Sequence, residues 1–161
     1  MEKNIIEWIQ RISAKKDELG GFSICPFAKK AFEDQKIFWS YIGYETVEYI
    51  SRYMETIPND YEIVLFFNLG KNLTDDECID IIGKLNERFP DTTFLKDHPD
   101  SPGFIQGLNT GNGEYPIILA QPTDKLLSAR EKLNKAGYYE YWDEKYKEEI
   151  WGYGHKSNEQ Q

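Results

Sequence analysis

Apolar residues recur every three or four positions through much of the chain, which is the spacing of amphipathic helices. We expect the first helix to end near Gly20 and Gly21, and one face of it carries four apolar residues: Ile5, Trp8, Ile9 and Ile12. Helical spacing or helix-start signals predict further helices over 26–32, 44–57, 74–89, 123–136 and 138–151. Thr74 and Glu77 have the spacing of a capping box.

The fifth and sixth of these helices have their own boundary signals. Thr123 or Asp124 is expected to cap the helix that follows Pro122, and Gly137 is expected to end it. The last predicted helix carries aromatic and aliphatic residues at four-residue steps: Tyr138, Trp142, Tyr146 and Ile150. We expect the final segment, 157–161, to be a frayed tail.

Apolar and β-branched runs without helical spacing predict strands over 36–42, 61–67, 92–96 and 115–120. The run over 61–67 is almost unbroken, which indicates a central strand covered on both faces. Strands that alternate with helices predict a parallel pair or pairs joined by right-handed crossovers, and the final two strands predict an antiparallel edge. The expected fold is therefore a single α/β domain over 1–156, with a mixed four- to five-stranded sheet flanked by helices. It is thioredoxin-like or a related α/β sandwich.

Composition and charge narrow the classes of function. The chain has 161 residues and a net charge of −9, which argues against a partner bound through its phosphate backbone, so nucleic acid is not expected. No apolar run approaches the ~18 residues of a membrane span, and charged residues interrupt the N-terminal apolar positions. We expect a cytoplasmic protein without membrane association, whose two cysteines are free and reduced.

Cys25 lies where an apolar run meets a predicted helix, with Pro26 directly behind it. Proline favours the first helical position, so Cys25 is the expected N-cap and faces the positive end of the helix dipole. Lys29 and Lys30, one turn on, would support a thiolate there as binding residues. The alternative is a small buried residue that caps the helix against the core, and core packing is also the interpretation for Cys78.

A second group of polar residues opens the segment 97–114, which follows a predicted strand. His98 could serve as a general base for Cys25, with Asp97 or Asp100 orienting the imidazole. The alternative is a loop histidine that hydrogen-bonds the adjacent turn. A metal site from His98, His155 and Cys25 would need scattered ligands without a recognisable spacing, so no metal or other cofactor is expected. The segment 109–113 lacks the lysine and the following helix of a phosphate-binding loop, so it is interpreted as a turn.

Three segments resemble an uncharacterised bacterial family in order and rough spacing: Cys25–Lys29, His98–Pro99 and Tyr115–Leu119. That family has Cys-Pro-Phe-Ala-Lys near the N-terminus and a later Phe-His-Pro, and the resemblance covers most of 5–136. Asp97 replaces the aromatic residue before the histidine, and Gly113-Glu114 replaces an Arg-Ser-Pro lead-in. The resemblance implies that Cys25 and His98 belong to one site.

The segment Cys25–Ala28 is also similar to the active-site segment of omega-class glutathione transferases and glutaredoxins. This resemblance implies that Cys25 is a nucleophile toward a glutathione-like ligand. Because Ala28 stands in place of a resolving cysteine, the implied chemistry uses a single thiol.

The leading hypothesis is a thiol-dependent site, with Cys25 as nucleophile and His98 as base, that acts on a small molecule or a low-molecular-weight thiol. The alternative is a non-catalytic module that binds a protein partner through the aromatic C-terminal helix or the 97–114 loop. A third hypothesis, a metal-dependent enzyme using His98 and nearby carboxylates, would show itself through bound metal.

Overall fold

Four strands form the main sheet, in the order β1-β2-β6-β3. The computed structural model describes residues 1–148, so the predicted tail 157–161 and His155 lie outside it. Its helices and strands are α1 (Lys3–Ser13), α2 (Pro26–Glu33), β1 (Ile37–Tyr41), α3 (Thr46–Met54), β2 (Ile63–Phe67), α4 (Asp75–Arg88), β3 (Thr92–Asp97), β4 (Phe104–Ile105), β5 (Leu108–Asn109), β6 (Ile117–Pro122) and α5 (Thr123–Lys135).

The sheet is mixed, as the sequence predicts. β1 and β2 are parallel, whereas β6 runs antiparallel to both β2 and β3. β2 lies inside the sheet and all five of its residues are buried, which confirms the central strand. The single α/β fold with flanking helices is confirmed, and the capping box of Thr74 and Glu77 forms at the start of α4.

Alternating residues of β2 point to the two faces of the sheet, and each face has its own core. We call one the α1 face: Leu65 and Phe67 pack there in a cluster with residues of α1 and α2. Residues of α5 share this face, since Leu126 lines a cavity with Ile63. The other is the α4 face, where Val64 and Phe66 pack with α3 and α4. The domain therefore has three layers.

The N-terminal helix is shorter than predicted, because α1 ends at Ser13 and the backbone of Ala14 is extended. The next buried apolar residue, Leu19, is reached through a 3₁₀ turn and a chain reversal at Gly20 and Gly21, whose φ angles are 62° and 88°. Only glycine adopts this pair of left-handed conformations readily. The reversal brings Ser23 into an isolated antiparallel bridge with Lys15. Residues 22–24 thus add no strand to the main sheet, and Cys25 stays ahead of its first strand.

The segment 97–114 holds a hairpin that the sequence pattern did not reveal. β4 and β5 pair across a two-residue turn, Gln106-Gly107, in which both φ angles are positive. Ile105 anchors the hairpin in the core of the α1 face. The strands have two residues each, too few for a visible alternation.

The C-terminal part of the chain differs from the predicted single helix over 138–151. A 3₁₀ helix spans Tyr138–Tyr141, Trp142 is extended, and helix resumes over 144–148. The rings of Tyr138 and Tyr139 both contact Trp142 edge-on, so these aromatic residues form a cluster rather than a stripe. Ile150 lies outside the described residues. The cap of α5 is also different: Pro122 is the N-cap, and the Thr123 hydroxyl is buried against that of Thr93.

Candidate functional site

A cavity of about 570 Å³ lies on the α1 face. Helices α1 and α5, the start of α2, the sheet and the aromatic cluster surround it. Its walls are mainly aliphatic and aromatic, and they include Trp8, Ile12, Ile24, Leu65, Leu119 and Leu126. Exposed lining residues, among them Ser101, Phe104 and Lys145, mark its solvent side. Ligand sites commonly occupy roughly 300–1,000 Å³ and have apolar walls with few polar groups, so this cavity has the expected size and character.

Cys25 lines this cavity as the N-cap of α2, with Pro26 at the first helical position, as the sequence predicts. Two backbone hydrogen bonds fix the residue. Its N–H donates to the Ile12 carbonyl over 2.9 Å, and its carbonyl accepts from the Ala28 N–H over 3.2 Å. The thiol is therefore held where a ligand in the cavity would touch it.

The ionisation of Cys25 does not follow the sequence expectation. Burial raises the pKa of the thiol, and the backbone N–H groups of Ala28 and Phe27 oppose this only in part. Lys29 and Lys30 are exposed, neither lines the cavity, and Lys30 forms an ion pair with Asp34. Among the described groups, the helix N-terminus and the nearby lysines thus stabilise the thiolate by less than its removal from water costs. Cys25 is a protonated thiol at neutral pH.

His98 is buried and both of its ring nitrogens have backbone partners. Nε2 contacts the Leu73 carbonyl at 2.9 Å, and Nδ1 accepts from the Asp100 N–H at 3.1 Å. Together these bonds fit a neutral imidazole with its proton on Nε2. The exposed Asp100 carboxylate lies 3.9 Å from Nδ1. The arrangement matches the alternative interpretation, in which the histidine hydrogen-bonds the adjacent turn.

The sheet separates His98 from Cys25. Along β3, Phe94 belongs to the core of the α4 face, whereas Leu95 and Asp97 line the cavity on the α1 face. The alternation places His98 on the α4 face, where it contacts Leu73. The geometry therefore brings Cys25 together with Asp97 but not with His98 or Asp100.

Asp97 stabilises a turn instead of orienting an imidazole. Its Oδ2 accepts from the backbone N–H and the side-chain amide of Asn112, over 2.9 and 2.6 Å. Gly111 packs so closely on this carboxylate that a Cβ there would lie 2.8 Å from Oδ1. Asp97 thus holds the bent segment 110–113 at one side of the cavity, whereas Asn109, the first residue of the predicted turn, ends β5.

Arg130 is the cavity residue that the sequence analysis missed. It lies on α5, is only 2 % exposed, and lines the cavity. Its Nη1 is buried without a hydrogen-bond partner, and no ion pair joins Arg130 to a carboxylate within residues 1–148. The sequence carried one signal for a buried Arg130: it lies four residues after Leu126 and three before Leu133, within the apolar stripe of the predicted helix.

Four aromatic residues form one wall of the cavity: Tyr138, Tyr139, Trp142 and Tyr146. The Tyr138 hydroxyl donates to the Ile24 carbonyl, next to Cys25. Burial raises the pKa of Tyr138 and raises the pKa of Tyr139 to about 12, so both phenols are neutral at physiological pH. The indole nitrogen of Trp142 is near enough to the Tyr138 hydroxyl to oppose that shift, but the contact lacks hydrogen-bond geometry.

Other kinds of site have less support. Within residues 1–148, no group of three or more His, Cys, Asp or Glu side chains is arranged to hold a metal ion. No helix in the same part of the chain combines the length and the apolar character that crossing a membrane requires. Comparison with protein-family models, curated proteins and solved structures gives no match.

Proposed function

We propose that this protein binds a small, largely apolar molecule in the cavity on the α1 face, in contact with the Cys25 thiol. The observation that supports this proposal is the cavity itself, about 570 Å³ with aliphatic and aromatic walls and Cys25 among its lining residues. Apolar walls of this kind bind a ligand mainly through the area that both remove from water.

Cys25 keeps a role in this proposal as the thiol that touches the ligand. The similarity of Cys25–Ala28 to glutathione transferase and glutaredoxin segments favours a ligand that reacts or exchanges with a thiol. His98 is not part of the proposal, because its ring nitrogens are engaged by backbone groups on the α4 face. A neutral thiol is a weak nucleophile, so binding, rather than catalysis by a Cys–His pair, is the function that the geometry supports best.

The protein-interaction alternative has less support, because both segments that it would use make contacts within the domain. Trp142 and Tyr146 pack against the core of the α1 face. The 97–114 segment is tied to α1, where the Trp8 indole N–H donates to the Thr110 carbonyl over 2.9 Å. Arg11 donates to two further carbonyls of that segment, those of Asn109 and Gly111.

Alkylation of Cys25 by iodoacetamide tests the proposal in a Cys78→Ser background, with N-phenyl-1-naphthylamine as a neutral apolar probe. We expect the probe to gain fluorescence on binding and to slow the alkylation of Cys25, which mass spectrometry would locate. Leu119→Phe, a cavity-lining variant with a bulkier side chain, should weaken both effects. Leu127→Phe, the same substitution at a residue of α5 that does not line the cavity, is the control.

Two outcomes would contradict this proposal. In the first, the folded protein shows no saturable fluorescence gain with the probe. In the second, the probe saturates but the alkylation rate of Cys25 stays unchanged, so that the probe binds away from the cavity.

A further inference from the structure

We infer that Arg130 is an anion anchor and that the ligand of the cavity is an amphipathic organic acid, with an apolar body and a carboxylate or similar group. This inference rests on the proposed function, since it names the class of molecule that the cavity would take. It is carried by a buried arginine that lines the same cavity as Cys25 and whose Nη1 has no hydrogen-bond partner within residues 1–148.

The guanidinium has an unusual environment for a group that stays charged at all physiological pH values. Arg130 is only 2 % exposed, and it lies among aromatic and aliphatic residues of the cavity. Buried arginines are normally paired, because an isolated charge in an apolar interior loses its hydration without compensation. An anion supplied by a ligand would provide the missing partner.

The acidic residues that line the cavity do not provide that partner. Asp97 directs Oδ2 to the two nitrogens of Asn112. Asp143 is exposed on the solvent side, and no ion pair joins it to Arg130. The neighbouring phenol of Tyr139 is neutral at physiological pH. Within residues 1–148, the positive charge of Arg130 therefore has no anionic partner.

The shape of the site favours an organic acid over a small inorganic anion. A guanidinium presents its donors in a planar fork that matches a carboxylate. Inorganic phosphate would satisfy the charge but would fill little of a cavity of about 570 Å³ and would leave its apolar walls uncovered. A molecule with an acid group at Arg130 and an apolar body against Leu65 and Leu119 would use both kinds of lining group.

Two fluorescent probes of similar aromatic framework separate the charge from the apolar contact. 1-Anilinonaphthalene-8-sulfonate carries an acid group, whereas N-phenyl-1-naphthylamine lacks it. We expect the wild-type protein to bind the sulfonate about tenfold more tightly, the factor that a hydrogen bond to a charged group supplies. Arg130→Met should abolish this preference and leave the affinity for the neutral probe within about twofold.

Arg88→Met is the matched control, because Arg88 lies on α4 and pairs with Glu48 and Ser51 away from the cavity. It should keep the preference for the sulfonate. Near-UV circular dichroism verifies that each variant is folded. If Arg130→Met does not fold, Arg130→Gln, which keeps a polar side chain without the charge, is measured in its place and should also lose the preference.

The results distinguish the two proposals. If both probes bind the wild-type protein but the folded Arg130 variant keeps the sulfonate preference, the anion anchor is overturned and the cavity-binding function stands. If neither probe binds the wild-type protein, the proposed function fails and the anchor fails with it. If only the sulfonate binds and its binding requires Arg130, the proposed function fails and the amphipathic ligand is overturned with it, because the apolar walls then do not hold the neutral probe.

Discussion

The replacement of Arg130 by methionine should stabilise the unliganded protein. Methionine keeps the unbranched apolar stem of arginine and removes a charge that is 2 % exposed, with Nη1 unpaired. Exchanging buried ionic groups for apolar residues of similar volume stabilises proteins by about 1–4 kcal/mol in known cases. We expect an increase in the free energy of unfolding of about 1–3 kcal/mol for Arg130→Met, within that range. For a domain of this size, each kcal/mol corresponds to about 2–4 °C in Tm.

Urea unfolding, followed by circular dichroism and tryptophan fluorescence, measures this difference by linear extrapolation. Arg88→Met is again the control, because it removes a 2.8 Å hydrogen bond to Ser51 and a 3.1 Å ion pair with Glu48. Since the Arg88 side chain is 46 % exposed, we expect it to lower stability by about 1 kcal/mol or less. The two arginine variants should therefore shift stability in opposite directions.

An anionic ligand narrows the difference in stability between the wild-type protein and Arg130→Met. An anionic probe at about one hundred times its Kd adds about 2.7 kcal/mol to the stability of a protein that binds it. The wild-type protein would gain this amount, and Arg130→Met, with about tenfold weaker binding, would gain about 1.4 kcal/mol. The reasoning is refuted if unliganded Arg130→Met is less stable than the unliganded wild-type protein, because the guanidinium would then have structural partners in the folded protein.

Four other predictions concern titration and local hydrogen bonds. Burial raises the pKa of Cys78 from 9.0 to about 11, so the folded protein holds the thiol proton more tightly than the unfolded chain does. The resulting stabilisation of the folded protein is complete below pH 9 and is lost as the pH rises toward 11. It should appear as a pH-dependent difference of about 2–3 kcal/mol between the free energies of unfolding of the wild type and of Cys78→Ala. Burial also raises the pKa of Cys25 from 9.0, so its alkylation should reach half the maximal rate above pH 9.0, and a lower midpoint would contradict the desolvated site. Asn68→Ala should lower the free energy of unfolding by about 2–4 kcal/mol, because the buried amide donates to the Ile42 carbonyl and accepts from two backbone N–H groups before α4. A loss below about 0.5 kcal/mol in urea unfolding would show that water takes the place of the amide. Thr74→Ala should lower it by about 1 kcal/mol through loss of the capping box, and an unchanged urea midpoint would argue against that cap.

The fold follows from the sequence where local signals and burial agree. The unbroken apolar run of β2 predicts a strand covered on both faces, and the spacing of Thr74 and Glu77 predicts the start of α4. The end of α1 could not be read in this way, because the tertiary burial of Leu19 overrides local helix propensity after Ser13. The aromatic cluster is similar: four-residue steps predict a helix, but Tyr138 is held by the Ile24 carbonyl.

The sequence predicts where Cys25 lies, at the start of a helix, but not the protonation state of its thiol. Pro26 identifies Cys25 as a helix N-cap, whereas the pKa of its thiol depends on groups that fold over it from distant parts of the chain. Asp97 and His98 are adjacent at the end of an extended strand, so they point to opposite faces and only one of them can face Cys25. That alternation was available in the sequence, and so was the position of Arg130 in the stripe of α5.

The Tyr138 hydroxyl and the Ile24 carbonyl that accepts its hydrogen bond are 114 positions apart in the chain. The cavity that both residues line consequently has one wall from residues near the N-terminus and another from α5 and the aromatic cluster. During translation, the first wall leaves the ribosome long before the second, and the part of the apolar α1 face that α5 and the aromatic cluster cover stays open in the interval. A nascent chain that stops before α5 would present this surface to chaperones, and a ligand could protect the chain from proteolysis only after residue 146 has emerged.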